Sequence, residues 1–216
     1  MEIYDTEEAQ VEALKRWWKE NGQSVVIGLG LGIALILGWN YWQDHKKQKI
    51  NQASALFEQL QKDAEANKKD SVDKLATQIK TQFGSTEYVG FSGLIQAKLK
   101  AQAGDLAGAK TILQGIASNP NKELANIAKL RLVRLMLATK EYEQGLQLIN
   151  SIDPQAASSF SGNYDELTGD LYVALGRVDE ARTAYESALR NGHQSPLLQY
   201  KIDDLASAES PTAPKK

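Results

Sequence analysis

Two histidines, His45 and His193, are all the imidazole in this chain, and they stand far apart in a sequence that has no cysteine. A thiolate zinc site, a structural disulfide and a lipidated N-terminal cysteine are therefore excluded. Acids are plentiful but not arranged for general acid–base work. Asp203 and Asp204 are adjacent, and neighbours on a helix point in different directions. No G-x-S-x-G, H-E-x-x-H, P-loop or C-x-x-C motif occurs. The pair Gly28-x-Gly30 looks like the start of a dinucleotide loop, yet it follows no strand pattern and lies inside an apolar run. No catalytic residue, metal ligand, cofactor or small-molecule substrate is expected. A net charge of -2 leaves no footprint for nucleic acid.

The chemistry that remains is surface recognition, and two kinds of element present it. Residues 24–42 form 19 successive uncharged positions, SVVIGLGLGIALILGWNYW. As a helix they span about 28 Å, close to the hydrocarbon thickness of a bilayer. All four tryptophans lie at its ends, Trp17 and Trp18 before it and Trp39 and Trp42 in its last residues, which is the aromatic-belt distribution of a membrane span. A cleaved signal fits worse. Residues 1–20 hold six acids against three bases, and the run ends in bulky Gly38-Trp39-Asn40-Tyr41-Trp42 without a small-residue cleavage pattern. An uncleaved signal-anchor is the expectation.

Gly28 and Gly32 are four apart, as are Gly30, Ala34 and Gly38. Such stripes let another helix approach closely in lipid, although glycine is also simply commoner in membrane helices. Both readings stay open. Lysines and arginines number three in residues 1–20 and four in 43–62, so charge bias does not fix the orientation. Ahead of the span, 5-DTEEAQVEALKRWWKEN-21 reads as a short amphipathic helix capped by Asp5 or Thr6, with Val11, Leu14 and Trp18 on one face.

Beyond residue 46 alanine, leucine, lysine, glutamine and glutamate dominate, and nothing alternates with strand period. Breaks fall at Gly84-Ser85, Gly104-Asp105, Asn119-Pro120, Asp153-Pro154, Gly176 and Gly192. A shift of 36 residues aligns Leu99, Leu135 and Leu171, then Leu106, Tyr142 and Val178 at the turns. It also aligns small Ala109, Gly145 and Ala181, and apolar Leu113, Ile149 and Tyr185. A small residue in each second helix lets a hairpin's two helices close together. Residues 47–83 read as a further hairpin, with Leu56, Phe57 and Leu60 facing Leu75, Ile79 and Phe83. Ser195-Pro196 opens a closing helix with Leu198, Ile202 and Leu205 on one face.

The segment 169-GDLYVALGRVDEARTAYESAL-189 resembles the tetratricopeptide repeat, through Gly169, Tyr172, Leu175, Gly176, Asp179, Glu180, Ala181, Tyr185 and Ala188. The spacing of 36 exceeds that family's usual 34, and Asp165, Thr168 and His193 depart from its pattern. The expected fold is all-α: an N-terminal single transmembrane helix followed by a tetratricopeptide-like α-solenoid of antiparallel helix hairpins. The domain plan is a tail over 1–22, a span over 23–43, the repeat body over 44–208 and a disordered end over 209–216. In the repeat's register, the first helices present Phe91, Leu94 and Lys98. Next come Ile127, Leu130, Arg134 and Leu137, and then Asn163, Glu166, Asp170 and Val173. They are the candidate partner-binding groove, unless adjoining helices already cover it.

The whole chain, by its opening MEIYDTEEAQVEALKRWWKENG, the GLGLG span and the repeat segment, resembles the family of ancillary SecYEG translocon subunits. The resemblance implies a single-pass bacterial inner-membrane protein with a cytoplasmic N-terminus and a periplasmic body. It implies two partners, the SecYEG translocon and a membrane-anchored periplasmic chaperone of the parvulin-like isomerase type. It also implies a role in folding or trafficking of newly translocated proteins, and no catalytic residue. The competing expectation is an envelope tetratricopeptide adaptor for another complex, in cell-wall assembly or stress signalling.

Overall fold

The computed structural model describes residues 7–208, with side chains over 10–205. The expected cap at Asp5 or Thr6 and the expected disorder of 209–216 lie outside the described residues. Among them no strand occurs. Two compact units divide at Gln52 and Ala53.

The first unit is one helix. α1 runs Glu7–Glu65 and carries the only stretch, among the described residues, long and apolar enough to cross a membrane. The sequence suggested a separate amphipathic helix before the span; the structure instead continues α1 through Asn21 and Gly22. The Asn21 amide donates to the Trp17 carbonyl at 3.1 Å, and the Trp18 ring lies where a side chain on Gly22 would sit. That ring shields the backbone which glycine would otherwise expose, so the helix does not break. Along the apolar run every large side chain is exposed, Leu35 to 74%. Trp17 and Trp18 stack at 6.4 Å and Trp39 and Trp42 at 5.4 Å, with Lys46 5.5 Å from the Trp42 ring. These pairs bracket the run with amphipathic rings at both ends.

The second unit begins within α1, from Ala53, and continues as α2 (Lys69–Gln82), α3 (Tyr88–Gln102), α4 (Leu106–Ala117) and α5 (Lys122–Ala138). α6 (Tyr142–Asn150), a 3-10 turn (Ser158–Phe160), α7 (Ser161–Ala174), α8 (Val178–Arg190) and α9 (Pro196–Ala208) complete it. From α2 onward each helix packs on its sequence neighbours. The end of α1 and α2 form the hairpin read from residues 47–83, with Leu60, Val72 and Ile79 fully buried against Leu56, Phe57 and Leu75.

The three 36-residue units are then laid out as their spacing requires. Leu106, Tyr142 and Val178 are each the first residue of a second helix. Ala109 and Ala181 are fully buried. A side chain on Gly145 would lie 3.0 Å from the Leu171 side chain of α7, so there the small residue lets the second helix approach the next unit closely. The first helices end alike as well. Gly104, Lys140 and Gly176, 36 apart, adopt φ of +84°, +63° and +73°. The next residue in each case donates back to the carbonyl five positions earlier, at 2.8–2.9 Å. This is the left-handed stop that satisfies the helix's orphan carbonyls. The period exceeds 34 through its connections: α6 and α7 are separated by ten residues, 151–160.

α9 closes the stack. Ser195 caps it, its hydroxyl accepting from the Leu198 amide at 3.0 Å, and Pro196 takes the first turn. Leu198, Leu205 and half-buried Ile202 cover the apolar side of α8.

Candidate partner-binding face

Positions 36 apart make the face comparable repeat by repeat. Phe91, Ile127 and Asn163 share one position, Leu94, Leu130 and Glu166 a second, and Lys98, Arg134 and Asp170 a third. On α3 and α5 the second position is not surface. Leu94 and Leu130 are each only 6% exposed and belong to the apolar clusters that bind α3 to α4 and α5 to α7. Assigning them to an open groove is corrected accordingly, since a leucine that reaches a neighbouring helix buries there. Ile127 and Leu137 are half-buried against the same clusters, whereas Phe91 and Val173 are exposed.

The α7 positions are occupied by the chain itself. Lys201 of α9 donates to Glu166 at 2.7 Å and to both Asp170 oxygens at 2.6 and 2.8 Å. His193 meets Glu166 at 2.7 Å through Nε2 and Asn163 at 3.3 Å through Nδ1. The Tyr185 hydroxyl donates to Asp170 at 2.8 Å. Burial works to raise the Glu166 pKa, but Lys201 and His193 outweigh it and the carboxyl ends below its usual range. Burial likewise works against the Lys201 charge, and Asp170 and Glu166 still hold its pKa above the ordinary value. The α7 third of the face is therefore covered, as the alternative reading from sequence allowed.

The α3–α5 third is open. Lys98 and Arg134 stand exposed at the mouth of a cavity of about 450 Å³ whose walls include Ala97, Ala101, Leu106, Leu113 and Leu135. A larger recess of about 750 Å³ adjoins it across Lys98 and Gln102, bordered by Gln61, Asn67 and Lys69. Arg131, which the repeat register did not single out, also lines the smaller cavity and donates to the Leu94 carbonyl at 3.0 Å. Burial and the charge of Arg134 both lower its pKa. Among the described residues none of Lys98, Arg131 and Arg134 has a carboxylate within ion-pair distance. Arg131 was legible in one respect: its repeat counterparts are Ile95 and Leu167, so a cation there breaks the apolar pattern.

At Gly28, Gly30, Gly32 and Gly38 an added side-chain carbon would meet nothing within 4 Å, and beside them Ala34 is likewise exposed. Among the described residues no cluster of three or more histidines or acids could hold a metal.

A stack of paired helices stopped alike at 104, 140 and 176, and capped by α9, is the architecture of a helical repeat protein. The model of the tetratricopeptide repeat-like domain matches residues 15–207, so the chain belongs to that family. Relatives narrow the family further. The chain is 31% identical to the ancillary SecYEG translocon subunit of Haemophilus influenzae over 206 residues, covering 92% of this chain and 97% of the relative. It is 28% identical to the protein of the same name from Escherichia coli over 212 residues, covering 95% and 100%. The corresponding protein of Aggregatibacter actinomycetemcomitans is also 28% identical, over 92% of this chain and 97% of its own length. The chain is thus a member of the ancillary SecYEG translocon subunit family. No solved structure matches it.

Proposed function

We propose that this protein is a non-catalytic scaffold, anchored in the bacterial inner membrane by α1, that associates with the SecYEG translocon. Its helical body stands in the periplasm and engages a membrane-anchored chaperone of the parvulin-like isomerase type, assisting newly translocated chains. The observation that carries the reading is collinearity. The relatives named for the translocon match through both the apolar span and the repeat body, over 92–95% of this chain. The two small-residue stripes, Gly28 with Gly32 and Gly30 with Ala34 and Gly38, support helix-to-helix contact within the bilayer. Affinity purification from detergent-solubilised membranes tests the association. The expected result is co-recovery of translocon subunits and a periplasmic isomerase; recovery with cell-wall or stress-signalling components instead would favour the adaptor alternative. Protease added to spheroplasts tests the topology, and a body left intact while a known periplasmic domain is digested would refute the periplasmic assignment.

A further inference from the structure

The repeat itself shows what its third face position takes. On α7 that position is Asp170, and the occupant is Lys201 of α9, a side chain of opposite charge seated beside Glu166. On α3 and α5 the same position is Lys98 and Arg134, and both stand exposed among the described residues. Arg131 adds a third cation to the same cavity mouth, with one carbonyl as its hydrogen-bond acceptor. Adjacent cations repel one another, and a carboxylate placed between them would relieve that repulsion while accepting from both guanidinium forks. Below the cations the walls are alanine and leucine, Ala97, Ala101, Leu106 and Leu113 among them. About 450 Å³ lies within the roughly 300–1,000 Å³ of pockets that bury a ligand's apolar groups.

Resting on the scaffold reading above, we propose that the α3–α5 cavity binds an extended segment of a partner protein in which a carboxylate adjoins an apolar side chain. The apolar side chain enters between Ala97, Leu106 and Leu113, and the carboxylate lies across Arg131 and Arg134 with Lys98 beside it. The adjoining recess, continuous across Lys98 and Gln102, takes the next residues of the segment.

The test uses the full chain in phosphatidylcholine nanodiscs and fluorescein-labelled octapeptides read by anisotropy. One peptide alternates leucine with aspartate, a second leucine with lysine, and a third glycine with aspartate. The first is expected to bind tightest and to weaken as salt rises. Arg131→Glu with Arg134→Glu should weaken it by about ten-fold or more and transfer preference to the leucine–lysine peptide. The milder pair Lys98→Ala and Arg134→Ala, both at exposed positions, should weaken it several-fold if charge reversal perturbs folding in a thermal melt. Equal binding of the three peptides, or binding of the first that is unmoved by both variants, would overturn the proposal. Translocon recovery by the unaltered chain is read separately, so failure of the scaffold reading and failure of the peptide site give different results.

Discussion

The faces of α3 and α5 and the face of α7 are built on one repeat and end differently. On α7, Asn163, Glu166 and Asp170 are all engaged by His193, Lys201 and Tyr185. On α3 and α5, the counterpart leucines sink into the core and, among the described residues, the counterpart cations have no carboxylate within ion-pair distance at their cavity. A helical array needs a closing helix because its last hairpin would otherwise expose an apolar side. In this chain closure does more, since α9 also fills the charged positions that a ligand would use on α7. The lesson concerns sign: three positions in register carry two bases and one acid, and among the described residues only the acid meets its complement.

The comparison breaks most sharply at Gly169. A side-chain carbon there would lie 2.2 Å from Cε1 of Tyr185, a fully buried ring whose hydroxyl holds Asp170. Aligned counterparts show how the seam is shared: Ala97 with Leu113, Val133 with Ile149, and Gly169 with Tyr185. Only in the third pair does the first-helix residue lose its side chain entirely, and there the Tyr185 ring takes the space. Gly169→Ala should therefore destabilise the body by about 3 kcal/mol and release the α7 network. Ala97→Gly should lose only about 1 kcal/mol. Urea unfolding monitored by circular dichroism measures both, and equal effects would show that the two ends are not packed differently.

Lys201 gives the next effect. Lys201→Ala leaves Glu166 and Asp170 adjacent and largely buried without their cation, which should lower stability by about 2 kcal/mol. Acid and base should act in the same place. Glu166 has a folded pKa below its ordinary 4.5, so its contribution is complete above that value and is lost as pH falls through the folded one. Lys201 has a folded pKa above 10.5, so its contribution is complete below 10.5 and is lost as pH rises through the folded value. Amide exchange in α9 should be slowest, relative to intrinsic rates, between these limits and accelerate beyond both. A flat profile would mean that Lys201 does not hold α9 in place.

How far the chain could be read from its residues follows the same divide. The hairpins, the small residues at Ala109, Gly145 and Ala181, and the cap at Ser195 are local or periodic signals, and each is found where its spacing put it. The α7 network is not local. Lys201 meets acids more than thirty residues away, and nothing around Lys201 in the sequence announces the pairing. Leu94 and Leu130 face the right direction for a groove by register. Their packing into the clusters with α4, α5 and α7 shows that they are covered.

Lys140 is the smallest effect and the plainest case of a signal hidden by residue type. The turns at Gly104 and Gly176 can be read from glycine, but the equivalent turn at 140 carries a lysine and was not recognised from sequence. The backbone nonetheless takes φ of +63° there, and the Glu141 amide donates to the Met136 carbonyl at 2.8 Å as its counterparts do. A side chain in the left-handed region costs about 1–2 kcal/mol that glycine avoids. Glycine in turn gives the unfolded chain more freedom to lose, which offsets about 0.4–1 kcal/mol. Lys140→Gly should therefore stabilise the body by about 0.5–1 kcal/mol, seen as a raised urea midpoint at unchanged slope. Its side chain is exposed and, among the described residues, enters no hydrogen bond or ion pair, so nothing else is removed. A lowered midpoint would mean that this turn is not the conformational equal of those at 104 and 176, and the repeat alignment on which the open and closed faces are compared would fail at its centre.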